Sequence, residues 1–271
     1  MPTQFEKATR FRELHQQDHA FIIPNPWDIG TARLLAALGF EALASTSAGY
    51  AFSLGQCDNA VGREQTLSHV AELVAATDLP VSADLENGFG DAPEAAAETI
   101  RLAAATGLVG GSIEDASGRA EQPIYTFELA VERVRAAVEA VKALPFPFTL
   151  TARAENFLHG RADLADTIRR LQAYQEAGAD VLYAPGLRSE ADIAAVVSAV
   201  DRPVNVLMGL PGLTLDRLSA IGVKRISTGS ALSRAALGAF LRAAQEMREH
   251  GTFTFADQAV SYGEINARFQ P

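Results

Sequence analysis

Short apolar runs alternate with amphipathic helical patterns from one end of the chain to the other. The apolar runs cover residues 20–24, 41–46, 80–85, 109–115, 147–153, 180–185, 203–208 and 224–229, and a helical pattern follows each one. Most of these runs are apolar on both faces, which is typical of parallel strands covered by helices. Eight such strand–helix units predict a (β/α)8 TIM barrel.

Glycine punctuation supports this repeat. Gly39, Gly107, Gly178 and Gly222 each follow a predicted helix, in the segments LGFEAL, TGLVGG, AGADVL and IGVKRI. A left-handed glycine often closes the last turn of a helix, so these segments are variations on one helix–glycine–strand junction. A doubly wound open sheet is the competing architecture, but the chain has no glycine-rich nucleotide fingerprint. We therefore expect a single barrel domain over residues 1–271.

The tail that begins at about residue 251 carries four aromatic residues, which is many for a free tail. They are Phe253, Phe255, Tyr262 and Phe269. They could pack on the chain's own barrel or on a neighbouring subunit, and the sequence favours neither.

Composition excludes several classes of protein. The net charge of −10 argues against nucleic-acid binding, which requires basic clusters. The single cysteine, Cys57, allows neither an intrachain disulfide nor a multi-cysteine zinc site. The first residues show no signal-peptide pattern, and no apolar stretch reaches membrane-spanning length. We expect a cytoplasmic protein without nucleic-acid or membrane partners.

Acidic residues stand where strands three and four end, at the end of a barrel that carries active sites. Strand three ends with Asp84 and Glu86, which alternation places on the same side, and strand four ends with Glu114. Three neighbouring carboxylates repel one another unless a cation lies between them. Oxygen ligands suit Mg²⁺ or Mn²⁺. The alternative is a structural network in which Asp84 and Glu86 pair with Arg153.

Polar residues at other strand ends are candidates for substrate binding. Arg153, at the end of strand five, can bind a carboxylate bidentately, or it forms a salt bridge with Glu155 or Glu114. The segment Ser45-Thr46-Ser47 offers amides and hydroxyls to an anionic oxygen, or it is an ordinary turn. Asp115 is more typical of an N-cap or loop residue than of a metal ligand.

Three further features have ordinary interpretations. Cys57 has no histidine near it in sequence, so a nucleophilic role is disfavoured. The segment Thr228-Gly229-Ser230 could cradle a phosphate at a helix N-terminus, although helix capping is favoured. His159 could line the site from the loop after strand five, but a surface position is favoured.

Four segments together resemble the isocitrate lyase / phosphoenolpyruvate mutase superfamily, in its methylisocitrate lyase-like and oxaloacetate decarboxylase-like branch. They are SADLENGFG, SIEDASG, TARAENF and PVNVL. The resemblance implies a barrel with a swapped C-terminal helix, a homotetramer built as a dimer of dimers, Mg²⁺, and a 2-oxo-acid substrate. By position it assigns Asp84, Glu86 and Glu114 to the metal, Arg153 and Asp58 to catalysis, and Ser45, Thr46, Ser47, Arg153 and Asn205 to substrate binding.

The chain departs from that superfamily after strand four. The C–C lyases carry a Lys-Lys/Arg-Cys-Gly-His gating loop there, whereas residues 115–125 contain no Cys, Lys or His. The mutases' Lys-Thr-Asn-type loop is also missing. We therefore expect a Mg²⁺-dependent lyase that acts on an oxaloacetate-like 2-oxo acid through a metal-stabilised enolate. The alternatives are a phosphoenolpyruvate/phosphonopyruvate mutase-type enzyme and a non-catalytic barrel that binds a 2-oxo dicarboxylate.

Overall fold

The computed structural model describes residues 2–209 and 212–270 as alternating strands and helices. The strands are β1 (Phe21–Ile23), β2 (Leu43–Ala44), β3 (Val81–Asp84), β4 (Gly110–Glu114), β5 (Thr149–Arg153), β6 (Val181–Tyr183), β7 (Val204–Leu207) and β8 (Arg225–Ser227). The helices are α1 (Gln4–Leu14), α2 (Ile29–Ala37), α3 (Ser47–Ser53), α4 (Arg63–Ala75), α5 (Pro93–Ala105), α6 (Phe127–Lys142), α7 (Leu164–Ala177), α8 (Glu190–Ala199), α9 (Leu215–Ala220), α10 (Ala231–His250) and α11 (Tyr262–Arg268), with a 3₁₀ helix at Thr254–Gln258.

The eight strands are parallel and follow the order β1-β8-β7-β6-β5-β4-β3-β2. The Ala44 amide donates to the Pro24 carbonyl at 3.1 Å, which joins β2 to the end of β1 and closes the ring. The predicted (β/α)8 barrel is confirmed. The second strand is shorter than the predicted run 41–46 because Thr46 already caps the next helix, α3, where a loop was expected.

Helix α1, which the strand–helix pattern does not predict, closes the N-terminal end of the barrel. A capping box starts it, since Thr3 and Glu6 each accept a hydrogen bond from the other's backbone N–H. Phe11 is fully buried beside Phe21 of β1. A Cβ at Gly110 would lie 2.8 Å from the Phe11 ring, so glycine at the start of β4 makes room for this plug.

The interior of the barrel is polar where most barrels are filled with branched apolar side chains. The main hydrophobic core instead lies between the strands and the surrounding helices. Inward positions of five strands hold polar side chains that line a central cavity: Ser82, Ser112, Thr151, Asn205 and Arg225. This polar layer points to a binding function, because burying it costs folding free energy that an apolar filling would not.

Helix α10 does not cover the barrel as the other helices do. Of its residues only Ser233 is buried, while Phe240 is 67% exposed and Leu241 is 56% exposed. An apolar groove of about 160 Å³ remains on the outer face of β1, β7 and β8, lined by Ile22, Val206 and Ile226 among others.

The tail beyond α10 stays largely in solvent. Phe253 is 65% exposed and Tyr262 is 85% exposed, whereas the Phe269 ring approaches the start of α2 near Gly30. Across residues 2–209 and 212–270, none of the helices combines the length and apolar character needed to span a bilayer.

Candidate active site

A cavity of about 180 Å³ opens at the C-terminal ends of the strands, the position of active sites in barrels of this kind. Asp58, Asp84 and Arg153 lie among its lining residues together with the segment 45–47. Asn205 and Arg225 line it from β7 and β8. The cavity is small enough to suit a metabolite rather than a drug-sized ligand.

The Arg153 guanidinium lies at the centre of a carboxylate cluster. Its Nη1 is 2.8 Å from Asp84, and its Nη2 is 2.9 Å from Glu114 and 2.8 Å from Glu155. Burial by itself raises the pKa values of Glu114 and Glu155, and the Arg153 charge opposes that rise. The salt-bridge alternative for Arg153 is therefore what the structure contains, and its role in substrate binding stays a prediction.

Glu86 stands apart from this ion-pair network. The strand ends at Asp84 and Glu86 has a left-handed backbone with φ of 49°, so the alternation that was expected to align the two side chains does not extend to it. Glu86 forms no salt bridge with Arg153 among the described residues. Burial, followed by repulsion from Asp84 and Asp58, raises the pKa of Glu86 to about 8. A protonated or cation-bound Glu86 is thus favoured over a free carboxylate at neutral pH.

Glu86 and Glu114 line a second, wider cavity of about 710 Å³ rather than the first. Across the described ranges 2–209 and 212–270, no three His, Cys, Asp or Glu side chains converge with the geometry of a metal site. Arg153 accounts for this, because its nitrogens lie between the oxygens of Asp84 and Glu114. Metal binding by Asp84, Glu86 and Glu114 stays a prediction.

Asp115 has a structural position. It is 3% exposed, and its carboxylate accepts hydrogen bonds from the Glu155 amide, Arg170 and the Tyr174 hydroxyl. The sequence predicts that Asp115 is either a loop residue or the N-cap of a helix. It lies in the loop after β4 and does not cap a helix. The contact with the Glu155 amide fixes the backbone that presents Arg153 and Glu155 to the cavity.

The segment Ser45-Thr46-Ser47 is not an ordinary turn. Thr46 is the N-cap of α3, where its hydroxyl accepts a hydrogen bond from the Gly49 amide. Ser45 accepts a hydrogen bond from the Asp84 amide, and the Ser47 hydroxyl donates to the Asp84 carboxylate at 3.0 Å. The segment therefore orients Asp84 as well as lining the cavity.

The remaining candidates fall at the edge of the site or outside it. Asp58 is exposed at the mouth of the cavity, beside the exposed Cys57. His159 is exposed, in agreement with the surface position that the sequence favours. Ser230 is the N-cap residue of α10, in agreement with the capping role that the sequence favours, although its side chain makes no capping bond. The amides of Thr228 and Gly229 donate to the Asn25 side chain.

Sequence reasoning missed three residues that build the site, Asn25, Tyr183 and Arg225, and it named Glu155 only as an alternative partner of Arg153. Asn25, after β1, joins Ser45 to the Thr228-Gly229 backbone. Glu155 is a third carboxylate partner of Arg153. Tyr183 faces Arg153 across adjacent strands, and burial raises the pKa of its hydroxyl to about 12. Arg225 forms the floor. Each stands at or within one or two residues of a strand end, and the inward polar residue in an otherwise apolar run was the available signal.

The floor of the cavity rests on an uncharged histidine. His15, the C-cap residue of α1, lies 2.8 Å from the Phe11 carbonyl through Nδ1 and 3.3 Å from Arg225 through Nε2. Arginine has no acceptor, so Nε2 accepts and Nδ1 carries the proton. Burial first, and then the Arg225 charge, lower the pKa of His15 to about 3.

This buried histidine predicts acid sensitivity. The folded pKa of about 3 lies below the unfolded value of 6.5, so the stabilisation is present above pH 6.5 and is lost as the pH falls. Between pH 7.5 and 5.0 we expect the wild type to lose about 2 kcal/mol more unfolding free energy than His15→Gln. Urea denaturation at the two pH values measures this, and equal losses would contradict the assignment of a neutral His15.

The segment from Asp115 to Tyr125 folds as a short hairpin beside the second cavity. An antiparallel bridge joins Ala116 to Ile124, and Arg119 forms a salt bridge with Asp91. The Tyr125 hydroxyl donates to Asp91 at 2.6 Å. Tyr125 is therefore held away from the cavity rather than offered to a substrate.

The chain forms a closed parallel barrel with a cluster of acidic side chains at the carboxyl ends of its strands. It therefore belongs to the class of (β/α)8 barrels whose active sites are built around carboxylates. The family described as phosphoenolpyruvate phosphomutase matches residues 11–248. The chain belongs to this family, within the phosphoenolpyruvate mutase/isocitrate lyase superfamily that its sequence resembles.

Individual relatives carry lyase, hydrolase and mutase descriptions. The oxaloacetate decarboxylase of Pseudomonas aeruginosa is 30% identical over 258 residues, covering 90% of this chain and 86% of the relative. A solved structure from Burkholderia cenocepacia J2315, described as a candidate lyase/mutase, is 67% identical with a TM-score of 0.96, covering 99% of this chain and 97% of its own. An oxaloacetate acetylhydrolase solved with its product oxalate is 25% identical with a TM-score of 0.87, covering 98% and 95%.

Proposed function

We propose that this protein is a Mg²⁺-dependent lyase that acts on a small, oxaloacetate-like 2-oxo acid by C–C cleavage or decarboxylation. One observation carries the proposal. Five carboxylates lie around Arg153: Asp58 and Asp84 line the first cavity, Glu86 and Glu114 line the second, and the buried Glu155 pairs with the Arg153 guanidinium. This surplus of carboxylates over guanidinium groups favours a further cation.

The donor set fits a hard divalent cation. All the donors are carboxylate oxygens, which suit such an ion. Burial first, and then repulsion from Asp84 and Asp58, raise the pKa of Glu86, and a cation bound beside it would oppose that rise. We assign Asp84, Glu86 and Glu114 as the residues that would hold Mg²⁺ or Mn²⁺. When bound, the cation supplies a Lewis acid that stabilises the enolate formed as the C–C bond breaks.

The chain's own residues bind and orient the substrate in this proposal. Ser45 to Ser47 hold Asp84 in place and present polar groups to a substrate oxygen. Loss of CO₂ leaves its electron pair on the substrate as an enolate, and one proton then returns to carbon. The Tyr183 hydroxyl is protonated at neutral pH, as tyrosine ordinarily is, and burial raises its pKa further to about 12, so it can donate a hydrogen bond to the developing charge.

The relatives support the choice of substrate. Two of the proteins compared above carry oxaloacetate in their names, and one of them is a decarboxylase. Decarboxylation needs an electron sink and a proton from solvent or a hydroxyl, and this site offers hydroxyls. The family description supports a second candidate, mutase-type chemistry at a P–C bond. The third is a barrel that binds a 2-oxo dicarboxylate without turnover, which the ion-paired Arg153 would favour.

A panel of oxo acids and phosphonates, incubated with and without Mg²⁺ and followed by ¹³C and ³¹P NMR, separates these functions. Pyruvate and CO₂ from oxaloacetate are the expected products. A new P–C or P–O resonance would instead indicate a mutase, and ligand shifts without product would indicate a binding protein.

The segment 115–125 predicts a negative result with larger substrates. We expect little or no isocitrate or methylisocitrate lyase activity at saturating Mg²⁺, because residues 115–125 supply no thiol. A positioned general acid contributes roughly 10²- to 10⁴-fold to such a reaction. Tyr125 is bound to Asp91, and Tyr50 is stacked on His69, so neither replaces it. Steady-state release of glyoxylate or pyruvate at about 1–10³ s⁻¹ would contradict this.

We also propose that α10 packs on a second copy of the chain, as a swapped helix in a homotetramer. The apolar groove lined by Ile22, Val206 and Ile226 is bordered by Leu215 and Leu218 of α9 but not by α10, which exposes Phe240 and Leu241. The two surfaces are complementary in character, and a barrel strand ordinarily has a helix against it.

Charges placed on α10 should therefore dissociate the assembly. We expect the double variant Phe240→Asp, Leu241→Asp to sediment as a smaller species than the wild type. Leu38→Asp is the matched control, because Leu38 is equally exposed, at 63%, but lies at the end of α2. A monomeric wild type in sedimentation velocity, or an unchanged variant, would contradict the swapped helix.

A further inference from the structure

The floor of the cavity holds a positive charge without a carboxylate partner. Arg225, the first residue of β8, is 6% exposed and lines the cavity. In the described residues, 2–209 and 212–270, it makes no salt bridge, whereas the buried arginines Arg153 and Arg170 each pair with carboxylates. Arg133, also buried, is instead surrounded by backbone carbonyls and faces no cavity.

The hydrogen bonds of Arg225 go only to neutral groups. Its Nε donates to Asn205 Oδ1 at 2.9 Å, its Nη2 to the Thr151 hydroxyl at 2.9 Å, and its Nη1 to neutral His15 at 3.3 Å. A guanidinium has five N–H donors. Three are used here, so two remain for an acceptor that the described part of the chain does not provide.

The arrangement also fixes Asn205. Arginine only donates, so the amide oxygen of Asn205 must face Arg225, and its nitrogen then donates to Ser227 at 2.9 Å. Burial lowers the pKa of Arg225 to about 10, which leaves it charged at neutral pH. An isolated buried charge is costly unless it is paired. Its place in the wall of an open cavity allows a ligand to supply the pairing.

We propose that Arg225 binds the carboxylate of the substrate that lies farthest from the acidic mouth, so that the cavity selects dicarboxylic over monocarboxylic 2-oxo acids. The inference rests on the proposed function and adds the substrate class to it. Arg225 contacts Thr151, two residues below Arg153 on β5. Two residues of strand span about 6–7 Å, close to the length of a four-carbon dicarboxylate.

The same geometry predicts how much Arg225 contributes to KM and how much it contributes to kcat. A cation that holds a carboxylate stabilises the bound substrate at least as much as the transition state in which that charge is lost as CO₂. Arg225 should therefore lower KM without raising kcat for decarboxylation. Its removal raises KM for a dicarboxylate and leaves kcat unchanged or higher.

Equilibrium binding tests the proposal without turnover. Two probes are titrated calorimetrically in the presence of Mg²⁺: 3,3-difluorooxaloacetate, which has a distal carboxylate, and oxalate, whose two-carbon chain is too short to span from the mouth to Arg225. For Arg225→Gln we expect at least about 30-fold weaker binding of difluorooxaloacetate, the loss typical of a desolvated charge partner. Oxalate affinity should stay within about threefold. Arg217→Gln, which removes an exposed arginine on α9, is the matched control.

Asn205→Asp is the second variant, and it keeps Arg225 in place. The isosteric aspartate places a carboxylate next to Nε of Arg225, where it competes with the ligand for the positive charge. The variant should therefore also weaken the binding of difluorooxaloacetate more than that of oxalate. An equal loss of affinity for both probes, or no loss of affinity for either, would overturn the assignment. A wild type that binds both probes equally well would overturn it while leaving the proposed function intact. A wild type that binds neither would remove the proposed function and this inference together.

Discussion

Asp84→Asn is expected to lower Mg²⁺-dependent turnover by roughly 10³-fold while the barrel stays folded. The carboxylate projects from the end of β3 into the cavity, where Ser47 and Arg153 orient its two oxygens. An amide keeps the shape but removes a charged oxygen ligand. Lewis-acid stabilisation is worth several kcal/mol, and each 1.36 kcal/mol is a factor of ten in rate. The measurement is kcat/KM for oxaloacetate loss, paired with calorimetric Mg²⁺ titration.

Asp18→Asn is the matched control for this experiment. Asp18 is an exposed carboxylate at the opposite end of the barrel, just before β1. It should leave both turnover and Mg²⁺ affinity unchanged. Unaltered Mg²⁺ affinity in folded Asp84→Asn would remove Asp84 as a ligand.

Arg153→Met is expected to lower the free energy of unfolding by about 3–5 kcal/mol in the absence of divalent cations. Three carboxylates lose their shared partner, and their side chains are only 19%, 10% and 3% exposed for Asp84, Glu114 and Glu155. Without the guanidinium the folded state takes up protons more readily, so the loss should shrink as the pH falls from 8 to 6. Urea denaturation at both pH values measures it.

Adding Mg²⁺ distinguishes a metal-binding site from a cluster of ion pairs that has only a structural role. In Arg153→Met the carboxylates no longer compete with a guanidinium, so millimolar Mg²⁺ should restore part of the lost stability. Arg170→Met is the control, because Arg170 also forms buried ion pairs, with Asp115 and Asp166, but does not border the cavity. Equal recovery in the two variants, or wild-type stability in Arg153→Met, would contradict the account.

Much of the fold could be predicted because it depends on local periodicity. The alternation of buried strands with helices needs only hydrophobic patterning and glycine junctions, and all eight strands fall within the predicted runs. Helix α1 was missed because its role is tertiary: it plugs the barrel through Phe11 opposite Gly110. Helix α3 was missed because Thr46 caps it inside a segment that looks like a loop.

The sequence predicted several of the residues that form the candidate site, but not which of them would pair with one another. Strand ends indicated Asp84, Glu114 and Arg153, yet the sequence could not show that Arg153 would pair with two of these acids and with Glu155 at once. Such contacts depend on the twist and tilt that bring β3, β4 and β5 together. The left-handed Glu86 illustrates the limit of alternation, which ends where the strand ends.

The most direct test of the account is oxaloacetate decarboxylation by the purified protein with Mg²⁺ or EDTA. Free divalent ions also promote this reaction, so Asp84→Asn at equal Mg²⁺ gives the background. The account predicts pyruvate and CO₂ formation that is saturable in oxaloacetate, abolished by EDTA, and at least roughly 10²-fold above that background. A wild-type rate equal to the Asp84→Asn rate at the same Mg²⁺ concentration would contradict it.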